Sequence, residues 1–222
     1  MSTQTALADA SDTALDPVYR SSEVIFGLLM AMSFIGSISV ATDGQEEVRT
    51  LLVAALGCNL AWGLVDAVML LVAVKTEKRR NRMLLEKLHG SNDTAAGQAL
   101  VANELSIPLA ASLGEQGLEQ MRQRLAAVPL ALSPARINGR DLIDAFDIFM
   151  LVVLSTFPVV VPFMLTDDTA RALLLSRLVA LATLFIAGAI LARYSSGNIW
   201  LNGLLMAAIG AGLMAAIMAL GG

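Results

Sequence analysis

Apolar positions gather into five runs separated by polar stretches: residues 24–41, 51–74, 143–165, 170–192 and 199–220. Each is at least as long as the roughly 18 to 20 residues a helix needs to cross a bilayer. No ten-residue alternation of apolar and polar positions suggests barrel strands. A helix satisfies its own backbone in lipid, so the pattern predicts an all-α, polytopic membrane protein with five transmembrane helices. The polar stretches divide the rest. Residues 1–23 read as a disordered polar tail, 24–74 as helices one and two, 75–140 as a small helical module, and 141–222 as helices three to five.

Within the module, 75–88 continues the second apolar helix, and His89-Gly90-Ser91-Asn92 marks its stop. Residues 94–105 and 115–128 read as short helices, with Pro108, Gly114, Pro129 and Pro134 as breaks. Leu118, Met121, Leu125 and Val128 make an apolar stripe for another helix or a second subunit.

Composition agrees. Of 222 residues, 56% are hydrophobic and 15% charged, where about 25% charge is usual for soluble domains. That argues against a soluble enzyme and a nucleic-acid partner, and makes the lipid bilayer the surroundings. The polar first 22 residues do not read as a signal peptide. The single cysteine, Cys58, precludes an internal disulfide. Ten of the 15 lysines and arginines fall between 75 and 140. By the positive-inside rule the module and the N-terminus lie in the cytoplasm and the C-terminus on the opposite side, as in a bacterial inner membrane.

Few charges remain inside the runs. Asp66 stands alone in the second, where a carboxylate costs about 3 kcal/mol unless paired, protonated or hydrated. Two readings stand: a cation ligand or proton carrier, or a structural partner of Arg177 in the fourth run. Asn59 and Met69 fall near the same helical face, and Met30 lies in the first run. Amide oxygen, carboxylate and thioether would suit a path for Fe²⁺ or Mn²⁺, with interhelical bonding and core filling as the plainer alternatives. Asp141, Asp144 and Asp147, stepping by three, would form an acidic mouth in which two or three carboxylates meet one ion, or offset the helix dipole, which suits Asp141 best. In the module, Glu86 and His89 form an E-x-x-H pair, and Glu104, Glu115 and Glu119 add oxygen ligands for a metal site. A solvated charged face is the plainer reading. Pro158 and Pro162 would kink the third span. In the fifth, Gly203, Ala207, Ala211, Ala215 and Ala219, with a second row of Ala208, Gly212 and Ala216, suggest close helix packing. No nucleotide loop or nucleophile motif is present, so neither an enzyme nor a tightly bound cofactor is expected.

The layout resembles the vacuolar iron transporter (VIT) family. Glu23-Val24-Ile25-Phe26-Gly27 is similar to the family's opening of the first helix. Gly57, Asn59 and Gly63 resemble its G-x-N-x-x-x-G pattern. Pro158 and Pro162-Phe163 match a proline-rich stretch of the third span, and Gly188 with the Gly/Ala-rich end resembles its closing helices. The resemblance runs from Glu23 to Leu220 and is weakest in the module. It implies a homodimer exchanging divalent iron or manganese for protons, carrying the ion out of the cytoplasm. Three departures stand out. Met30 occupies the place of an acid in the first span. Asp66-Ala67-Val68-Met69 replaces a Ser-Met and Gly-Glu-Tyr stretch. The module is basic where the family's is glutamate-rich. They leave an alternative: a non-transporting relative whose basic module binds lipid, a protein partner or metal.

Overall fold

The computed structural model describes residues 17–40, 45–91, 93–133 and 135–220. Among them are seven α-helices and no strand: α1 Pro17–Val40, α2 Gln45–Gly90, α3 Thr94–Glu104, α4 Ile107–Ala126, α5 Gly139–Leu165, α6 Thr169–Tyr194 and α7 Ile199–Leu220, with a 3₁₀ turn at Leu130–Leu132. Helices α1, α2, α5, α6 and α7 are long and apolar enough to cross a membrane. The five apolar runs thus become five spans.

The chain forms two compact units, Met1–Met69 with Leu142–Gly222, and Leu70–Asp141. The first is a helix bundle. Helix α1 starts at Pro17, where proline's fixed φ and missing N–H suit a first helical turn. Tyr19, Arg20 and Glu23, which the sequence pattern assigns to a tail ending at residue 23, therefore stand on the helix. Residues 1–16 of that tail lie outside the described residues. The later spans begin with side-chain caps. Asp168 accepts from the N–H groups of Ala170 and Arg171, and Asn198 from those of Trp200 and Leu201.

Helices α6 and α7 pack together, and α1 packs on both. Glycine allows the approach. A Cβ on Gly188 would sit 2.7 Å from the Asn202 carbonyl oxygen, and one on Gly210 would strike the Leu184 side chain. Gly203, Gly210 and Met214 form the buried edge of α7. The small-residue rows read from the sequence point largely elsewhere: Ala208, Ala211, Gly212, Ala215, Ala216 and Ala219 are exposed. Helix α5 meets α1 at Gly27, whose Cβ would strike the Ser155 hydroxyl, and α2 at Gly63, whose Cβ would lie 3.1 Å from the Phe149 carbonyl oxygen. Leu28, Met32, Ile35, Val159, Ala180 and Leu184 fill the bundle core.

Pro158 and Pro162 both lie inside α5. A helical proline frees carbonyls in the preceding turn. The Ser176 hydroxyl of α6 donates to the Val159 oxygen, next along the chain from the Pro158 carbonyl that Pro162 leaves without its helical donor, at 2.5 Å.

In the second unit Leu85, Leu88 and Val101 are buried. Asp93 caps α3 by accepting from Ala95 N–H at 2.9 Å. Helix α4 starts earlier than sequence suggests, at Ile107, because Pro108 fits a first turn. It is interrupted at Gly114, whose φ of +59° suits only glycine without strain. Before α5, Asn138 Oδ1 accepts from Asp141 N–H, and Asp141 Oδ2 accepts from Asn138 N–H. This reciprocal cap shows why Asp141 stands in the first turn of α5. The Lys78 ammonium also donates to Asp141, at 2.6 Å.

Candidate functional site

The first turns of α1 bring polar groups together within the bundle. The Tyr19 hydroxyl donates to the Glu23 carboxyl group, one helical turn on. Glu23 is in turn hydrogen-bonded to Asp66 of α2. Asp66 Oδ2 is buried with no partner. Arg20, on the same turns of α1, lies 3.8 Å from Asp147 of α5, with both side chains 46% exposed. Asp144, one turn before Asp147, is buried, and its Oδ2 has no partner.

The residues expected to line a path divide by environment. Asn59 is buried, and its amide nitrogen bonds to Thr156 of α5 and, at 3.5 Å, to the Gly27 carbonyl of α1. It joins three spans, as the interhelical reading expects. Its Oδ1 is buried without a donor. Met30 Sδ takes a weak contact from the Cys58 thiol at 4.0 Å. Met69 is 58% exposed on the outside of the single chain, whereas Asn59 is buried.

The expected pairing of Asp66 with Arg177 is overturned. Arg177 donates to Met218 Sδ of α7 at 3.7 Å, and its Nε is buried without a partner. Depth explains the failure. Val48 of α2 and Thr169 of α6 line one cavity of about 310 Å³, so the two helices start at the same end of the bundle. Asp66 lies 18 positions after Val48, and Arg177 eight after Thr169. At 1.5 Å per residue their depths differ by about 15 Å. Asp66 therefore sits toward the end of its span where α1 begins, not midway.

The metal-ligand set expected in the module does not assemble. Glu86 bonds Arg82 at 2.8 Å, and Glu104 bonds Arg80 at 2.6 Å. Glu119 accepts from both Nε and Nη2 of Arg122 and from Gln98 and Gln123. That network, led by the Arg122 hydrogen bonds, holds its carboxyl group down to about 2. The His89 Nδ1 lies 2.7 Å from the Leu85 carbonyl oxygen of its own helix end, and Glu115 is exposed. These acids oppose arginines because the helices carry more basic than acidic groups. Among the described residues, no group of three His, Cys, Asp or Glu side chains is placed to hold one metal ion.

A model of the VIT family matches residues 27–222. The chain belongs to the VIT family. That places it among membrane metal-ion transporters and makes it an integral membrane protein. No curated protein matches the chain. The VIT match begins at Gly27, so Tyr19 and Glu23 lie just before it. Reading the sequence for chemistry passed over Glu23, since it precedes the first apolar run. Its signal was local: Tyr19 and Glu23 are four apart on a helix that can start at Pro17. In this VIT chain Glu23 stands at the start of the first span, and Met30 stands two turns further on.

Proposed function

We propose that this VIT-family protein exports Fe²⁺ or Mn²⁺ from the cytoplasm in exchange for protons, with Glu23 and Asp66 as the exchange site. The observation that supports this reading is the hydrogen bond between the two carboxyl groups. Two carboxyl groups this close offer a place that a proton or a divalent cation can fill in turn. Oxygen ligands suit Mn²⁺ and are accepted by Fe²⁺. Tyr19 orients Glu23, and the free Asp66 Oδ2 offers a further lone pair. Asp144 and Asp147 draw cations to the same end of the bundle, where Arg20 tempers their charge. Asn59, Met30 and Met69 continue the path. The ion is cargo, and no cofactor is required.

The positive-inside rule puts the start of α1 in the cytoplasm and the C-terminus on the opposite side, with a bacterial inner membrane as the setting. The protein works as a homodimer, as its family resemblance implies. The test is flux in proteoliposomes carrying a metal-sensitive and a pH-sensitive dye. Metal movement with opposite proton movement is expected, and both are lost in Asp66→Asn and Glu23→Gln. No flux of either ion through the unaltered protein would overturn the transport reading. Unchanged flux in both variants would overturn the assignment of the pair.

A further inference from the structure

The module carries basic charge that metal exchange does not use. Lys78, Arg80, Arg82 and Arg122 each have an acidic partner. Lys75, Arg79 and Arg136 appear in no ion pair among the described residues, and they gather. Together with Arg82, Met83 and Glu86 they line a cavity of about 560 Å³. Its one acid, Glu86, is already bonded to Arg82.

This convergence is built by the fold. Lys75, Arg79 and Arg82 stand at i, i+4 and i+7 on α2, which sets them along one face. Arg136 arrives from the segment before α5. That segment is fixed close by, through the Lys78–Asp141 bridge and the Asn138 cap. Cations brought around one hollow repel each other unless an anion lies between them. Arginine forks and a lysine ammonium are the donors that suit phosphate oxygens.

Lys75 directly follows Val74, the last residue of the apolar run, so the cavity opens beside the first turns of α2 beyond that run. Headgroup phosphates lie at this level, and basic side chains there gain from anionic lipid. We propose that the cavity of Lys75, Arg79 and Arg136 binds the phosphate of an anionic membrane lipid. This does not depend on transport.

The test uses the full protein in micelles doped with phosphatidylglycerol or phosphatidylcholine, with retained lipid counted by native mass spectrometry. The unaltered protein is expected to retain phosphatidylglycerol over phosphatidylcholine by about tenfold or more, each basic group contributing about fivefold. The variant Lys75→Gln/Arg79→Gln/Arg136→Gln should lose that preference. A control, Lys87→Gln/Arg124→Gln/Arg140→Gln, removes equal charge elsewhere and should keep it. Arg136→Gln alone, with an unchanged melting temperature, should lower retention about fivefold if the triple variant does not fold. Absence of preference in the unaltered protein, or equal loss in both triple variants, would overturn the proposal. So would glycerol 1-phosphate, titrated without lipid, binding as tightly as phosphatidylglycerol, which would make the ligand a soluble anion.

Discussion

Acids meet opposite fates in the two units of this protein. In the module, Asp141, Glu104, Glu86 and Glu119 each face a lysine or arginine. Each charge is answered within the chain. Although Asp147 and Asp168 of the bundle lie near arginines, Glu23 there faces Asp66, and Asp144 Oδ2 faces no donor. These groups are completed only by something that arrives: a proton, water or a cation. An acid that already holds an arginine has little to offer a metal, however favourable its spacing. Abundance of acids is therefore a poorer guide to an ion site than the absence of bases around them.

The contrast can be broken at several strengths. The largest expected effect is in the bundle pair, where Asp66→Asn reduces metal-dependent flux to the level of protein-free liposomes. Asp66→Glu, which keeps the carboxyl group, should retain part of it. In the module, Lys78→Met strands the buried Asp141 carboxylate. A loss of about 3 kcal/mol is expected, read as a lowered melting temperature. A melting temperature unchanged by that substitution would show that the cap alone satisfies Asp141.

Glu119 gives a pH-dependent effect. Its folded value, about 2, lies below the unfolded value of about 4.3. Its contribution is thus fully present above about pH 4.3 and fades as pH falls toward about 2. Acid unfolding of Glu119→Gln should lack that component. Equal acid profiles for both proteins would remove Glu119 from the account. Smaller still is Arg82→Gln, which breaks an exposed pair worth about 0.5 kcal/mol or less and should barely move the melting temperature. The smallest expectation is a coupling energy. In a double-mutant cycle of Asp66→Asn and Arg177→Gln, the stability changes should add within about 0.5 kcal/mol. A rescue by the second change would restore the direct pairing that their depths argue against.

The five spans were legible because lipid imposes one simple demand, that an apolar run be long enough and helical. The caps of α5, α6 and α7 use ordinary helix-starting residues, Asn138, Asp168 and Asn198, which the apolar pattern alone does not single out. The partner of Asp66 was not legible either. Pairing Asp66 with Arg177 matched charge to charge and overlooked depth, although counting residues from the start of each span bears on it. Glu23 was hidden by a boundary drawn where apolarity begins rather than where the helix begins at Pro17. The module's acids were misleading for another reason. Spacing along a chain shows that side chains can meet, but the competing basic groups come from neighbouring turns and from other helices. Arg80, 24 positions from Glu104, is one that no local motif reveals.

The Ser176 hydroxyl on the Val159 carbonyl carries a mechanical meaning. Where a continuous helix resists bending through its own ladder, α5 is here braced by a neighbour. Its stretch between the two prolines is tied to α6 at Val159, while the part before them lies against α1 at Gly27 and α2 at Gly63. The two stretches lean on different helices, so a bend between them would strain a hydrogen bond borrowed from α6.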